Sequence, residues 1–228
     1  MKKLVVFTGA GVSAESGIKT FRDSGGLWEE YDIMDVATPE AWHRQPEVVL
    51  EFYNARRKQV LESEPNQGHR IIAELESHFD VDVITQNIDD LHERAGSTRA
   101  MHLHGEIRKS KSSINPNLIY PISGDKIAWG ETCELGSQLR PHVVWFGEEV
   151  PMMPPAERLV NEANIFIIVG TSLNVYPAAL LVFHVRKDCK IYLVDPGDPI
   201  IPSQLNITWI KEKAGEGMRM VRDEIIKV

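Results

Sequence analysis

Residues 4–26 read LVVFTGAGVSAESGIKTFRDSGG: four consecutive apolar residues, a threonine, Gly9-Ala10-Gly11, then a polar stretch that keeps a basic residue, Arg22. An apolar run ending in G-x-G-x-x-A is the pattern of a buried strand feeding a phosphate-binding turn, where glycines let backbone N–H groups approach a pyrophosphate. A glycine turn after a strand is also common without a ligand, so the motif alone leaves both readings open. The usual dinucleotide unit adds an acidic ribose ligand about 20 residues on, at the end of a second strand. Here that place is taken by GIKTFRDSGGLWEEY (17–31), a long loop expected to close over a ligand.

The same opening imitates a leader peptide, with lysines first, apolar residues next and small ones after. Only residues 4–7 are continuously apolar, short of the ~7–15 of a leader core, and no run approaches the ~18 of a membrane span. Cys133 and Cys189, the only cysteines, form neither a disulfide framework nor a paired zinc signature. These features predict a soluble, cytoplasmic protein with no membrane partner. Lys and Arg total 25 against 33 Asp and Glu, a net charge of -8, with no compensating basic block. Nucleic acid is therefore not an expected partner.

Beyond the opening, short apolar runs recur: VDVIT (81–85), HVVWFG (142–147), IFIIVG (165–170), KIYLVD (190–195) and ITWI (207–210). Several are apolar at nearly every position, as strands buried on both faces are. Helical patterns over 39–62, 66–79, 155–164, 177–187 and 215–227 separate them. The alternation predicts an α/β fold, a Rossmann-like parallel sheet with helices on both faces. Ligands bind such sheets at the carboxyl ends of the strands. The polar stretch 106–140 breaks the rhythm and reads as a small inserted module of short strands and turns. The 228 residues suffice for one sizeable core plus such a module: a large domain over about 1–35, 80–105 and 141–228, and module segments over about 36–79 and 106–140.

Three stretches carry polar side chains at strand ends or on one helix face. TQNIDDLHERAG (85–96) sets Gln86, Asn87 and Asp89 at a strand end. One of these could cap the following helix, but three exceed what capping needs and favour ribose or amide recognition. MHLHGE (101–106) sets His102 and His104 two apart, on one face of an extended segment. With no third ligand nearby, a metal is not expected, and a general base titrating near neutrality is the sharper reading. In EFYNARRKQ (51–59), Tyr53 and Arg56 share a helical face, which suits an aromatic core anchor beside a solvated base as well as it suits a binding pair.

GAGVSAESGIKTFR, TQNIDDLHERAG, HLHGE, RPHVVWFGE, GTSLNVYPAA and VDP, in this order, resemble the sirtuin family of NAD-dependent protein deacylases. The resemblance implies a cleft where NAD, consumed as co-substrate, meets an acyl-lysine protein or peptide. It places Gly9, Ala10, Gly11, Ser13, Phe21 and Arg22 in the NAD-binding segment and Gln86, Asn87 and Asp89 at the nicotinamide ribose. Gly170, Thr171, Ser172, Asp195 and Ala214 fall toward the other half of NAD. His104 matches the catalytic base, with Asn87 beside it. WFGE (145–148), with Val144, matches the segment that pairs with the substrate as a strand, so Val144, Phe146, Gly147 and Glu148 are expected to touch substrate. The implied reaction releases nicotinamide, lets the acyl oxygen capture the ribose, and gives free lysine and O-acyl-ADP-ribose. Tyr53 and Arg56, preceded by the small Ala37, resemble the subgroup that removes succinyl and malonyl groups, since arginine can grip a distal carboxylate.

The chain departs from that family in three places. The usual Cys-x-x-Cys pairs are missing, with Ser112 and Gly130 about where ligands are expected and only Cys133 left, so no zinc is predicted. Leu118, Ile119, Tyr120, Ile122 and Trp129 are expected to hold the module instead. Lys19 replaces a common proline. Asp195 replaces a common asparagine. ADP-ribosyl transfer, NAD hydrolysis and a non-catalytic NAD or ADP-ribose sensor remain the alternative functions.

Overall fold

The computed structural model describes residues 1–19, 27–28 (as backbone), 31–199, 201 and 203–227. In chain order the strands are β1 (Lys3–Thr8), β2 (Leu27–Trp28), β3 (Tyr31–Asp32), β4 (Asp80–Thr85), β5 (Ala100–His102), β6 (Gly105–Ser112), β7 (Ile119–Pro121), β8 (Leu139–Val143), β9 (Ile165–Val169), β10 (Lys190–Val194) and β11 (Ile207–Ile210). The helices are α1 (Ile33–Val36), α2 (Pro39–Arg44), α3 (Pro46–Glu62), α4 (Gln67–Glu74), α5 (Leu91–Ala95), α6 (Met153–Glu162) and α7 (Ala214–Ile225).

Six strands form one parallel sheet in the order β11-β10-β9-β1-β4-β5. Counted by chain position within the sheet this is 3-2-1-4-5-6 read from the β5 edge, so the order reverses at β1, the topological switch point of a Rossmann-like sheet. Alternation along β1 sends Leu4 and Val6 to one face, packed with Ile71 and Ile72 of α4 and Met218 and Val221 of α7. Val5 and Phe7 face the other way, onto Ala156 and Val160 of α6 and the 3-10 helix Ala178–His184. Both faces are thus covered, which is why β1 is apolar from Leu4 to Phe7 and β9 throughout. Among the described residues no helix is long and apolar enough to cross a membrane.

The run HVVWFG, expected as a strand of the parallel sheet, lies elsewhere. Leu139–Val143 pairs antiparallel with β6 in a three-stranded sheet ordered β7-β6-β8. Its alternating polar positions, Arg140 and His142, suit a small sheet covered on one side better than one buried on both. Ala100–His102, too short and polar to read as a strand, forms the sheet edge beside β4 instead. The helical pattern 39–62 is also interrupted: Pro46 excludes helical geometry at Gln45, whose φ and ψ are −149° and 64°. The pattern 177–187 winds as a 3-10 helix.

The three-stranded module packs on α3, and among the described residues no three His, Cys, Asp or Glu side chains converge. Its apolar centre is Leu50, Ile127, Cys133 and Leu139, with Leu118, Tyr120 and Ile122 against it. Trp129, 56% exposed, and Ile119, 43% exposed, take no part in it, contrary to the sequence expectation. Around the Cys133 thiol stand the hydroxyls of Ser112 (3.4 Å) and Ser137 (3.2 Å), themselves 2.9 Å apart, whereas Gly130 stands in an exposed turn. Polar contacts from α3 complete the attachment. Asn54 donates to the Ile127 carbonyl (3.0 Å) and accepts from its N–H (2.9 Å). Arg57, fully buried, donates to the carbonyls of Ile107 (2.7 Å) and Asp125 (3.2 Å) and to Asn54 (2.7 Å). Burial lowers the Arg57 pKa to about 10, so it remains charged at neutral pH.

Truncating Asn54 leaves the Ile127 amide group and one Arg57 N–H without partners. Asn54→Ala should lower the unfolding free energy in urea by about 2–3 kcal/mol; a loss below ~0.5 kcal/mol would show that this clamp does not hold the module.

Candidate functional site

The turn after β1 packs directly on the turn after β9. Gly11 donates its N–H to the Gly170 carbonyl (2.8 Å) and Gly9 donates to Val169 (3.0 Å). A Cβ on Gly11 would lie 2.7 Å from the Gly170 Cα, and one on Gly9 2.7 Å from the Thr171 Cβ. These glycines therefore exist for the approach of one turn to another, and the Gly11 N–H is already committed there. The chain then winds into a 3-10 helix, Ala10–Ser16, which buries Ser13.

Ser13 is the hub of a buried network. Its hydroxyl donates to Asp89 (3.0 Å) and accepts from the Asn87 amide (3.0 Å) and from His69 Nε2 (3.4 Å). Asp89 also accepts from the Leu91 N–H (3.2 Å), so it caps α5 as well as binding Ser13. Burial raises the Asp89 pKa, opposed by those two hydrogen bonds. Gln86 reaches the other way and donates to the Thr171 hydroxyl (3.1 Å). Residues that follow β1, β4 and β9 are thereby tied into one rim.

The two histidines two apart share a face but not an environment. His102 Nδ1 meets the Asn87 carbonyl (2.9 Å) and its Nε2 meets the Glu93 carboxylate (2.8 Å). Burial opposes its charge, but Glu93 outweighs burial and raises the pKa. His104 Nδ1 donates to the Gln86 carbonyl (2.9 Å), which leaves Nε2 as the basic nitrogen. Burial lowers its pKa, opposed in part by the Gln86 contact, so the neutral, proton-accepting form prevails at physiological pH.

A cavity of about 220 Å³ joins these groups to α3. Ala10, Ser13, Gln86, Asn87, Asp89 and His104 line it on one side, and Ala37, Tyr53 and Arg56 on the other. The segment 143–148 also lines it, leaving β8 at Val143 and turning at Phe146–Glu148, where Gly147 has φ +91°. Val144 N–H donates to the His104 carbonyl (2.9 Å) and Phe146 N–H to Ala37 (3.0 Å). The Trp145 N–H donates to Glu148 (2.8 Å) and the Glu148 N–H to the Trp145 carbonyl (3.0 Å). With those amides committed, a peptide laid along this segment is left the carbonyls of Val144 and Phe146 and the Gly147 N–H.

Not every expected residue reaches the cavity. Gly170, Thr171 and Ser172 lie at the β9 turn, outside it. Asp195, buried at the end of β10, accepts from the Gly197 N–H (2.8 Å), and Ala214 sets its methyl in the core at the start of α7. Phe21 and Arg22 lie outside the described residues. The cavity also has lining that the residue reading did not single out, above all Trp145, Ile107, Val60 and Tyr176. Alternation along 142–146 held the signal for Trp145, since it places that ring on the same side as the buried Val143.

A model of the Sir2 family matches residues 9–177. The chain belongs to the Sir2 family. Over its whole length it is 50% identical to a protein of Helicobacter pylori strain J99 named NAD-dependent protein deacylase, covering 97% of that protein. It is 41% identical to a Pyrococcus furiosus protein of the same name, over 98% of this chain and 93% of that one. A Sir2 homologue solved in complex with NAD superposes with a TM-score of 0.90 at 40% identity, over 99% of this chain and 90% of the other. A triple mutant of Sir2 homologues in complex with 2'-O-acetyl ADP ribose gives 0.89 at 39%.

The buried histidines of this Sir2-family network make stability depend on pH. His69 accepts from the Asn66 N–H at Nδ1 (3.3 Å), and burial lowers its pKa to about 4. In the unfolded chain it takes a proton near 6.5, so its contribution is complete above that value and is lost as pH falls toward 4. Between pH 7 and pH 5 the wild type should lose about 2 kcal/mol more unfolding free energy than His69→Gln, measured in urea; parallel losses would show that His69 is protonated in the folded state.

Proposed function

We propose that this Sir2-family chain is an NAD-dependent protein-lysine deacylase with a preference for acidic acyl groups. The observation that carries this reading is a single cavity lined by His104 on one side and by Tyr53 and Arg56 on the other. NAD would lie along the rim, its nicotinamide ribose against Ser13, Gln86, Asn87 and Asp89 and its other half toward Gly170, Thr171, Ser172, Asp195 and Ala214. Gly9, Ala10 and Gly11 would shape the turn beside the phosphates, with Phe21 and Arg22 assigned by family resemblance. The rim suits such a ligand: it combines close turn-to-turn packing with buried donors and acceptors held by one another rather than by apolar neighbours.

Bound there, NAD supplies an electrophilic ribose carbon as nicotinamide departs. The residues of this chain do the rest. His104 Nε2 accepts a proton from a ribose hydroxyl, with the Gln86 carbonyl on Nδ1 holding the ring in the needed tautomer. Asn87, fixed by Ser13, orients the ribose. The acyl-lysine protein or peptide lies along Val144–Glu148, contacting Phe146 and Gly147, with its side chain entering beside Ala37. Arg56 then faces the distal carboxylate, where a charge-assisted hydrogen bond contributes about 1.5–3 kcal/mol.

Mass spectrometry of one peptide carrying acetyl-, malonyl- or succinyl-lysine, incubated with NAD, tests this directly. His104→Ala should abolish every deacylation, and Arg56→Met should lower desuccinylation at least tenfold more than deacetylation. Equal losses in Arg56→Met would reject the acidic preference, and NAD consumed with all peptides intact would move the reading to ADP-ribosyl transfer or hydrolysis.

The same reading assigns the module no structural zinc. Purified protein should carry well under one zinc per chain by elemental analysis, and chelator should leave its melting temperature unchanged; a stoichiometric, stabilising metal would overturn this.

A further inference from the structure

Trp145 is almost fully buried, and each of its faces and polar atoms is engaged. The Arg140 guanidinium stacks on its ring at 3.3 Å from the centroid, and Trp42 packs at 5.8 Å. Arg140 in turn holds Glu148 with two hydrogen bonds (2.7 and 3.0 Å) and the Val143 carbonyl with another (3.0 Å). Glu148 closes the loop by accepting from the Trp145 N–H (2.8 Å). Turning the ring would break its stacking on the Arg140 guanidinium, which Glu148 and the Val143 carbonyl hold in place. From this fixed position its indole Nε1–H donates to the Tyr53 hydroxyl (3.1 Å).

An indole N–H can only donate, whereas a phenol can donate one hydrogen and accept others. Trp145 thus fixes which role Tyr53 plays toward it. The indole hydrogen and the phenol's own hydrogen cannot share one side of the oxygen, so the Tyr53 hydrogen is turned away from Trp145. Among the described residues no acceptor receives it. Tyr53 lines the cavity beside Arg56, so a cavity ligand is the acceptor available to that hydrogen. A buried hydroxyl committed to donation favours a head group that only accepts, and penalises an acyl end that leaves the hydrogen unpaired.

We infer that Trp145 is a positioning residue for acyl selectivity: by occupying the acceptor side of the Tyr53 hydroxyl it commits Tyr53 to donate to the carboxylate of an acidic acyl-lysine. The inference rests on reading the cavity as an acyl-lysine pocket. It adds the Glu148–Arg140–Trp145 chain as the means by which the substrate-facing segment sets the chemistry of the acyl end.

The test is a double-mutant cycle in the full chain, with Trp145→Phe and Tyr53→Phe measured on succinyl- and acetyl-lysine forms of one peptide at saturating NAD. Phenylalanine keeps a ring under Arg140 and removes the donor with part of the indole's volume, and the succinyl-to-acetyl ratio cancels a packing loss common to both peptides. Trp145→Phe should lower the succinyl-to-acetyl ratio of kcat/KM about fivefold, mainly through the succinyl KM, and should lower it no further in the Tyr53→Phe background. An unchanged ratio in Trp145→Phe, or independent effects that multiply in the double variant, would overturn the inference. Tyr53→Phe alone keeps it falsifiable if Trp145→Phe does not fold, because an unchanged ratio there means that the hydroxyl donates nothing to the acyl group. A wild type that deacetylates but leaves succinyl-lysine intact would instead defeat the underlying acidic-acyl reading, and this inference with it.

Discussion

The contact on which the rest of the site depends is that between the turn after β1 and the turn after β9. A Cβ on Gly170 would lie 2.3 Å from the Val12 nitrogen, and one on Gly11 would strike Gly170 in return. Gly170 also sits at φ +63°, a region that residues with a Cβ seldom enter. Two backbones meet here with no side chain between them, at the point where strand order reverses. The approach sets Ser13 at the depth where it can reach Asn87 and Asp89 beyond the next strand, and it sets Thr171 within reach of Gln86. A methyl group at either glycine would push the turns apart and loosen all of these bonds together.

A second constraint comes from α3, which serves the cavity and the module at once. Tyr53 and Arg56 line the cavity, while Asn54 and Arg57, one position further round, hold the loop at Asp125–Ile127. Both pairs are three apart and therefore stacked along the helix. Leu50, a turn earlier, enters the centre of the module. The register of one helix thus joins the lining of the cavity to the attachment of the module. These helix-borne hydrogen bonds fix the loop through backbone groups of Asp125 and Ile127, independently of the side chains the loop carries.

The sheet was legible because its strands are apolar at nearly every position, a pattern that only burial on both faces explains. The rim was legible for the same reason: polar residues directly after such strands stand out. HVVWFG (142–147) was misplaced because a short run with Val143 and Trp145 on one side reads alike in either sheet, and only pairing of Leu139–Val143 with β6 decides. Trp145 drew no role of its own because a buried indole in a strand reads as core. The role inferred for it depends on contacts with Arg140 and Tyr53, the latter 92 residues away. Ser137 was missed for a similar reason, since a serine in a turn gives no sign of the thiol it meets.

The histidine pair shows most clearly where residue pattern ends and environment begins. His102 and His104 are the same residue type, two apart, and each places Nδ1 at 2.9 Å from one of two consecutive carbonyls, those of Asn87 and Gln86. Spacing alone therefore gives them equal standing as bases. The difference lies at the other nitrogen. A carboxylate at 2.8 Å from His102 Nε2 favours a proton there, whereas among the described residues His104 Nε2 has no such partner and burial favours its neutral form. One imidazole is thereby suited to hold the strand end in place and the other to accept a proton. The choice is made by Glu93, a residue of the neighbouring helix that lies within TQNIDDLHERAG without standing out there.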